Sequence, residues 1–251
     1  MAGPRILVTG MSGLIGGALR RRLEGRYALR ALNRRELAGV ECHCGDIADL
    51  EQIQPAFRDV EIVVHLAAAA GGGVPWERIQ RDNLVGTYHV FEAARRAGVR
   101  RVIFASSGAT VTGYELEEPY AALVGGKYDG LTTWPMLTHE TPVRPAALYG
   151  VSKVYGEALG RQYADEHGLS VLSIRIGRVK AEDRPTTPRD FSVWLSQRDV
   201  VQILERAIEA PAALRHGIFF AVSDNRWSYR DLEHARRVLG FVPQDRAEDH
   251  R

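Results

Sequence analysis

The chain has 251 residues, enough for one well-buried α/β domain with a small appendage. Its 45% hydrophobic and 25% charged content is that of a soluble globular protein. Thirty-three basic residues face 31 acidic ones, so no overall charge recruits nucleic acid or a membrane surface, and Arg20–Arg22 and Arg100–Arg101 are expected at helix ends or on solvated faces. No apolar run approaches the ~20 residues of a bilayer span. A strand is expected almost immediately after Met1, leaving no room for a secretory signal, and the expected location is cytoplasmic.

Arg5–Thr9 is a short apolar run that stops abruptly at glycine, the pattern of a buried parallel strand. Leu14–Leu23 reads as a helix with its arginines outward. Tyr27–Leu32 and Val40–Cys44 are the second and third strands, and Gly45-Asp46-Ile47 leads into a helix over Leu50–Phe57. Glu61–Leu66 is a fourth strand that ends in Ala67–Gly73. Asp82–Ala97 is an amphipathic helix closed by Gly98, and Arg101–Ala105 is a fifth strand running into Ser106-Ser107-Gly108. Residues 113–147, rich in Pro, Gly and aromatics, read as a long active-site insertion. Leu148–Glu166 is a long helix stopped by Gly168, and Ser170–Ile176 is a sixth strand. Val200–Ala210 (helix), Gly217–Ala221 (strand) and Tyr229–Leu239 (helix) follow, before a polar tail, Asp245–Arg251, expected to fray. This alternation predicts an α/β fold built on a doubly wound parallel sheet, with functional loops at the carboxyl ends of the strands.

Cys42 and Cys44 lie two residues apart on one strand, a poor geometry for bridging each other. With no further cysteine and no nearby histidine pair at ligand spacing, reduced thiols are expected and no metal.

Thr9-Gly10-Met11-Ser12-Gly13-Leu14-Ile15-Gly16 sets three glycines at G-x-x-G-x-x-G spacing between the first strand and the first helix. Such glycines permit a tight turn, close backbone approach to a pyrophosphate and close helix–strand packing, and the helix N-terminus offers free amides to the phosphates. An acid at the end of the second strand would accept from the ribose hydroxyls of NAD, but the strand ends in Asn33-Arg34-Arg35. Arg34 or Arg35 could pair with a 2′-phosphate, so NADP is slightly favoured over NAD, unless both are plain surface arginines. Asp46 is placed either to accept from the adenine amino group or to cap the following helix.

Tyr149-Gly150-Val151-Ser152-Lys153 puts a phenol and an ammonium one helical turn apart on the same face. A free phenol titrates near ~10, and a neighbouring cation lowers that value towards the range where tyrosine can act as a base. A hydroxyl of Ser106-Ser107 could hold a substrate oxygen within reach of Tyr149. Asn83 could support Lys153 through water or cap the helix it opens.

The glycine turn, Gly45-Asp46, His65-Leu66-Ala67-Ala68, Asn83, Ser106-Ser107 and Tyr149-x-x-x-Lys153 together resemble the extended short-chain dehydrogenases/reductases, the NAD-dependent epimerase/dehydratase family, over essentially the whole chain. The resemblance implies one Rossmann-type domain over 1–251, with 177–251 contributing most of a small substrate-binding portion. It implies a cofactor lying against the glycine turn and against Ile47, Leu66, Ala67, Ala68 and Ile176. It makes Tyr149 the acid–base residue, Lys153 its activator and ribose anchor, and Ser107 the substrate-orienting hydroxyl. A homodimer through the helices around Asp82–Ala97 and Leu148–Glu166 is a further expectation from it.

Little chain follows Ile176, which favours a small free substrate over a nucleotide sugar. Phe104-Ala105-Ser106-Ser107, Ile174-Arg175-Ile176-Gly177 and Trp194-Leu195-Ser196 are similar to segments of uronate dehydrogenases, and by that likeness Arg175 would bind a sugar carboxylate. The other reading of Arg175 is a salt bridge across strand ends. Ser106, Ser107, Gly108 and Arg175 are thus the expected substrate contacts, although Gly108 and Ala109 stand where that group carries polar residues. The expected activity is hydride transfer between a nicotinamide cofactor and a small sugar acid or polar alcohol. The alternatives are a sugar epimerase or dehydratase and, in another class, a non-catalytic NAD(P)-sensing protein.

Overall fold

Apolar runs too short for helices, buried on both faces except at the edge strand Glu41–Cys44, build a seven-stranded, wholly parallel sheet in a computed structural model that describes residues 3–71 and 73–250. The strands are β1 (Arg5–Thr9), β2 (Ala28–Asn33), β3 (Glu41–Cys44), β4 (Ile62–His65), β5 (Arg101–Ser107), β6 (Ser170–Ile176) and β7 (His216–Ala221), in the order β3-β2-β1-β4-β5-β6-β7. The direction of progress reverses between β1 and β4, which opens a crevice at their carboxyl ends. The helices are α1 (Leu14–Leu23), α2 (Leu50–Ile53), α3 (Trp76–Arg78), α4 (Gly86–Arg96), α5 (Tyr120–Gly125), α6 (Leu148–His167), α7 (Asp190–Val193), α8 (Gln197–Glu209) and α9 (Glu233–Leu239). Among the described residues, no helix is long and apolar enough to cross a membrane.

Strand alternation sorts the core into two layers. Ile6, Val8, Ile103 and Ile174 face α1, α8 and α9, while Leu7, Val63, Phe104 and Val171 face α2, α4 and α6. The second layer packs closely, because a Cβ at Gly156 of α6 would lie 2.3 Å from the Phe104 ring. A third cluster joins Tyr120, Leu123 and Leu137 to Val193, Phe220, Trp227 and Tyr229.

The doubly wound sheet expected from the alternation is the one observed, and the departures have local causes. Helix α2 gives way at Pro55 to a 3₁₀ turn over Gln54–Phe57. The helix expected from Asp82 begins at Trp76 and passes through a π-helical stretch, Ile79–Val85, before α4. The helix expected from Tyr229 begins at Glu233, because Arg230 instead bridges Leu137 of the insertion. That insertion is docked: the Tyr128 ring stacks on Trp227 at 4.0 Å, and Trp134 Nε1 donates to the Ser228 carbonyl. Residues 177–251 divide between sheet and periphery, with β7 completing the sheet and α8 packing on it while α7 and residues 227–230 meet the insertion.

Two expectations are corrected. Arg101 is not a solvated residue: its buried guanidinium donates to the carbonyls of Ala207, Ala210, Pro211 and Leu214, closing the C-terminus of α8, and burial lowers its pKa to about 10. The tail is held rather than frayed over Asp245–His250, since Ala247 is fully buried and donates to Asn225 Oδ1, and Arg198 pairs with Asp245. Arg251 lies outside the described residues.

Candidate active site

The turn after β1 is built on backbone contact. Gly10 adopts φ +70°, and a Cβ there would sit 2.9 Å from the Ala67 amide. A Cβ at Gly16 would meet the Gly10 carbonyl at 2.6 Å, so this glycine brings α1 down onto the turn. The turn opens on a cleft of about 680 Å³ lined by Gly10, Ser12, Gly13, Leu32, Asn33, Arg34, Arg35, Gly45, Asp46, Ile47, Leu66, Ala67, Ala68 and Asp82. Of the remaining residues expected at the cofactor, Met11, Ile15 and Ile176 face the core and Leu14 is exposed.

Asn33 ends β2 inside this cleft, buried, with neither amide atom of its side chain hydrogen-bonded. Orphaned buried polar atoms are costly, and a dinucleotide's ribose hydroxyls would satisfy them; together with the glycine turn, the residues present fit such a group. Asp46 does not cap α2, a task performed by Asp49 through the Gln52 amide. Asp46 instead accepts from the Ala48 amide and pairs with Arg81; burial raises its carboxyl, but these partners outweigh it and leave it below the ordinary range.

At the ends of β4 and β5 the expected reacting groups come together. The Ser107 hydroxyl accepts from the Ala109 amide at 3.1 Å and lies beside the Tyr149 phenol, whose ionisation it favours. Lys153 is buried, its Nζ lying 4.9 Å from the centre of the Phe104 ring and 5.5 Å from that of Tyr149. Burial pulls the Lys153 pKa down to about 8, against the opposing charge of Glu157. Burial raises the Tyr149 phenol, opposed by the neighbouring Ser107 hydroxyl, so the lowering expected from Lys153 is not what the chain's own groups produce. Beneath Lys153, His65 is hydrogen-bonded to Thr9 Oγ1 at 2.8 Å, and burial together with the Lys153 charge lowers its pKa to about 3. His65 is therefore a neutral post between β1 and β4.

Asn83 neither caps a helix nor touches Lys153. From the π-helical stretch it bonds both polar atoms of the Ala69 backbone, at 2.7 and 3.0 Å, and donates to Ser152 Oγ at 3.0 Å. It ties the loop after β4 to α6 one residue before Lys153.

Ser106 and Arg175 point from β5 and β6 towards α6, on the side of the sheet opposite to Ser107. Ser106 Oγ donates to Glu157 Oε1 at 2.5 Å, and Arg175 engages the same carboxylate through Nε and Nη2 at 2.9 and 2.8 Å. All three are buried, and the Arg175 guanidinium also lies over the Phe220 ring. Of the two readings of Arg175, the structure holds the ion pair. A carboxylate-binding fork is already filled, and Ser106 is spent on the same partner.

Gly108, expected to touch substrate, instead makes room for a residue that was not anticipated. A Cβ there would sit 2.2 Å from Nη1 of Arg230, whose Nη2 donates to the Gly108 carbonyl at 3.4 Å. Glu115 takes both prongs of Arg189 at 2.6 Å, accepts from the Tyr229 hydroxyl and lies 4.0 Å from Arg230. Burial pushes the Glu115 carboxyl up, but these partners hold it below its ordinary range. Beyond β6, the fully buried Asp190 accepts from Lys180 at 3.0 Å and from the Thr186 and Thr187 amides, with Arg178 ion-paired at 3.3 Å. Only Arg178 carried a signal in the sequence, as the second residue past the carboxyl end of a strand.

A doubly wound sheet, a dinucleotide cleft at its topological switch point and a Tyr–Lys pair one turn apart beside a strand-end serine define an NAD(P)-dependent short-chain dehydrogenase/reductase. More narrowly, the chain belongs to the NAD dependent epimerase/dehydratase family, which residues 6–197 match. It is 34% identical over 250 residues to the NAD-dependent glucose-6-phosphate dehydrogenase of Haloferax volcanii, covering 96% of this chain and 93% of that protein. It is 35% identical over 259 residues to a uronate dehydrogenase of Pseudomonas putida, with 98% and 86% covered. The crystal structure of uronate dehydrogenase from Agrobacterium tumefaciens superposes with a TM-score of 0.84 at 33% identity, covering 99% of this chain and 87% of that one.

Proposed function

We propose that this enzyme oxidises a small free sugar, passing the hydride to a nicotinamide cofactor. The observation that carries the reading is the grouping of Ser107, Tyr149 and Lys153 at the carboxyl edge of β5, and the sugar dehydrogenases among its relatives support it. Ser107, anchored by the Ala109 amide, holds the sugar hydroxyl, and the Tyr149 phenol, once ionised, takes its proton. Lys153 stays mostly protonated near pH 7, its ammonium 5.5 Å from the centre of the Tyr149 ring, and the positive charge of a bound oxidised nicotinamide would add to it in favouring the phenolate. Asn83 keeps this stretch of α6 in place through Ala69 and Ser152. When bound, the nicotinamide supplies the hydride acceptor.

NADP is the favoured cofactor, because Arg34 and Arg35 line the cleft beside Asn33 with no carboxylate in the strand that ends there. A homodimer through α4 and α6 is part of the proposal, supported by exposed Val85, Tyr88, Leu148 and Val151. The cytoplasm suits its two free cysteines.

The test follows net reduction of NAD and NADP across a panel of aldoses, uronates and sugar phosphates. Tyr149→Phe should abolish reduction while cofactor binding survives. Turnover without release of reduced cofactor would assign the enzyme to the epimerases or dehydratases. Arg34→Ala and Arg35→Ala should raise KM for NADP and leave that for NAD; an unchanged NADP:NAD ratio refutes the cofactor preference.

A further inference from the structure

The insertion meets the C-terminal segment at one further point, a stack of aromatic rings. His139 of the insertion lies on His234 of α9 with ring centres 3.7 Å apart and planes 8° from parallel. His234 lies in turn on Phe219 of β7 at 4.9 Å and 10°. The Nδ1 atoms of both histidines are buried and, among the described residues, lack a hydrogen-bond partner. The stack sits beside the bridge that docks the insertion. Leu137, two residues before His139, donates to the Tyr229 carbonyl at 2.7 Å and accepts from the Asp231 amide at 2.9 Å. Arg230, the bridge partner of Leu137, packs on Gly108, the residue after Ser107. The turn that presents His139 is closed on itself, with the Thr141 amide donating to the Thr138 carbonyl.

This arrangement suits neutral rings. An imidazolium carries a proton on both nitrogens, and a proton on either buried Nδ1 would point at no acceptor. Two protonated rings at 3.7 Å would also repel each other away from water. The charged groups facing the pair are of both signs. The Glu140 carboxylate of the insertion stands 3.9 Å from His139 Nε2, Asp231 lies on the segment leading into α9, Arg237 lies on α9, and β7 contributes the Phe219 ring. Burial, His139 and Arg237 lower the His234 pKa, against the pull of Asp231 and Glu140. A histidine whose folded pKa lies below its ordinary value gives its full stabilisation above about pH 6.5 and loses it as the pH falls from there.

We infer that the stacked histidines form a pH-sensitive latch. Neutral, they hold the insertion against α9 and β7; protonated in mild acid, they release the Leu137–Arg230 bridge and with it the Arg230 packing behind Ser107. The latch acts on the docking of the insertion and is independent of which reaction the site performs.

Hydrogen exchange of the Leu137 and Asp231 amides, divided by the intrinsic rate at each pH, reads how often the bridge opens. Uptake of one proton on opening should raise that opening constant about 3- to 10-fold between pH 7.5 and pH 5.5. The double variant His139→Phe, His234→Phe keeps the rings stacked and removes the titration, so its rise should be under about twofold. His234→Phe alone should flatten the response as well, should the double variant fold poorly. In the parent both amides should exchange ahead of the amides of β5 and β6, which open with the whole chain. No rise in the parent overturns the latch whatever the variants do. A rise as large in the phenylalanine variants, or exchange in step with β5 and β6, overturns it too.

Discussion

Lys153 weakens the fold that holds it, and Lys153→Met should expose the cost. Moving the Lys153 pKa from its ordinary 10.5 to about 8 by burial amounts to about 3 kcal/mol, at about 1.4 kcal/mol per tenfold. Below pH 8 the lysine is protonated in both the folded and unfolded chains, and the folded state bears the whole cost. Between pH 8 and 10.5 the folded chain has released the proton while the unfolded chain keeps it, so stability rises with pH through that window. Methionine keeps the length of the stem and removes the charge. It forfeits the ammonium's contacts with the Phe104 and Tyr149 rings, about 1 kcal/mol, for a net gain of about 2 kcal/mol at pH 7. For a chain of this size the gain is about 4–8 °C in Tm. Urea or thermal unfolding of both proteins at pH 7 and pH 10 checks it, with the advantage falling to about 1 kcal/mol or less at pH 10. A variant less stable than the parent at pH 7, or an advantage equal at both pH values, would refute the burial argument.

Two further outcomes test the frame around the site. Glu157→Ala leaves the Arg175 guanidinium buried without its carboxylate and should cost about 3–5 kcal/mol in urea unfolding, with Glu157→Gln milder; a loss under about 1 kcal/mol would mean that water replaces the carboxylate. Gly16→Ala drives a Cβ into the backbone of Gly10 and Met11, so the turn must move. Cofactor affinity, measured by quenching or calorimetry, should fall at least about tenfold, and unaltered affinity would show that the turn can yield without harm.

Much of the site was legible because its signals are local. Glycines three apart after a strand, and a tyrosine four residues before a lysine on a helix, are fixed by backbone geometry and need no distant partner. Asn83 was legible as a candidate but not in its role, since the π-helical stretch that turns it towards Ala69 and Ser152 has no marker in composition. Arg175 was misjudged for a related reason. Its partner, Glu157, lies 18 residues earlier on the preceding helix, and only the packing of α6 against β5 and β6 shows that the fork is filled.

The sequence by itself determined the order of strands and helices, the glycine turn and the Tyr149–Lys153 pair, because each follows from spacing within one or two elements. The tertiary structure alone decided how charge is distributed around them. Glu115 meets Arg189 across 74 residues and Tyr229 across 114, through the docking of the insertion on the C-terminal segment. A basic residue reads the same in sequence whatever its partner; only the packing tells Arg175, buried against Glu157, from Arg178, which shares Asp190 with Lys180.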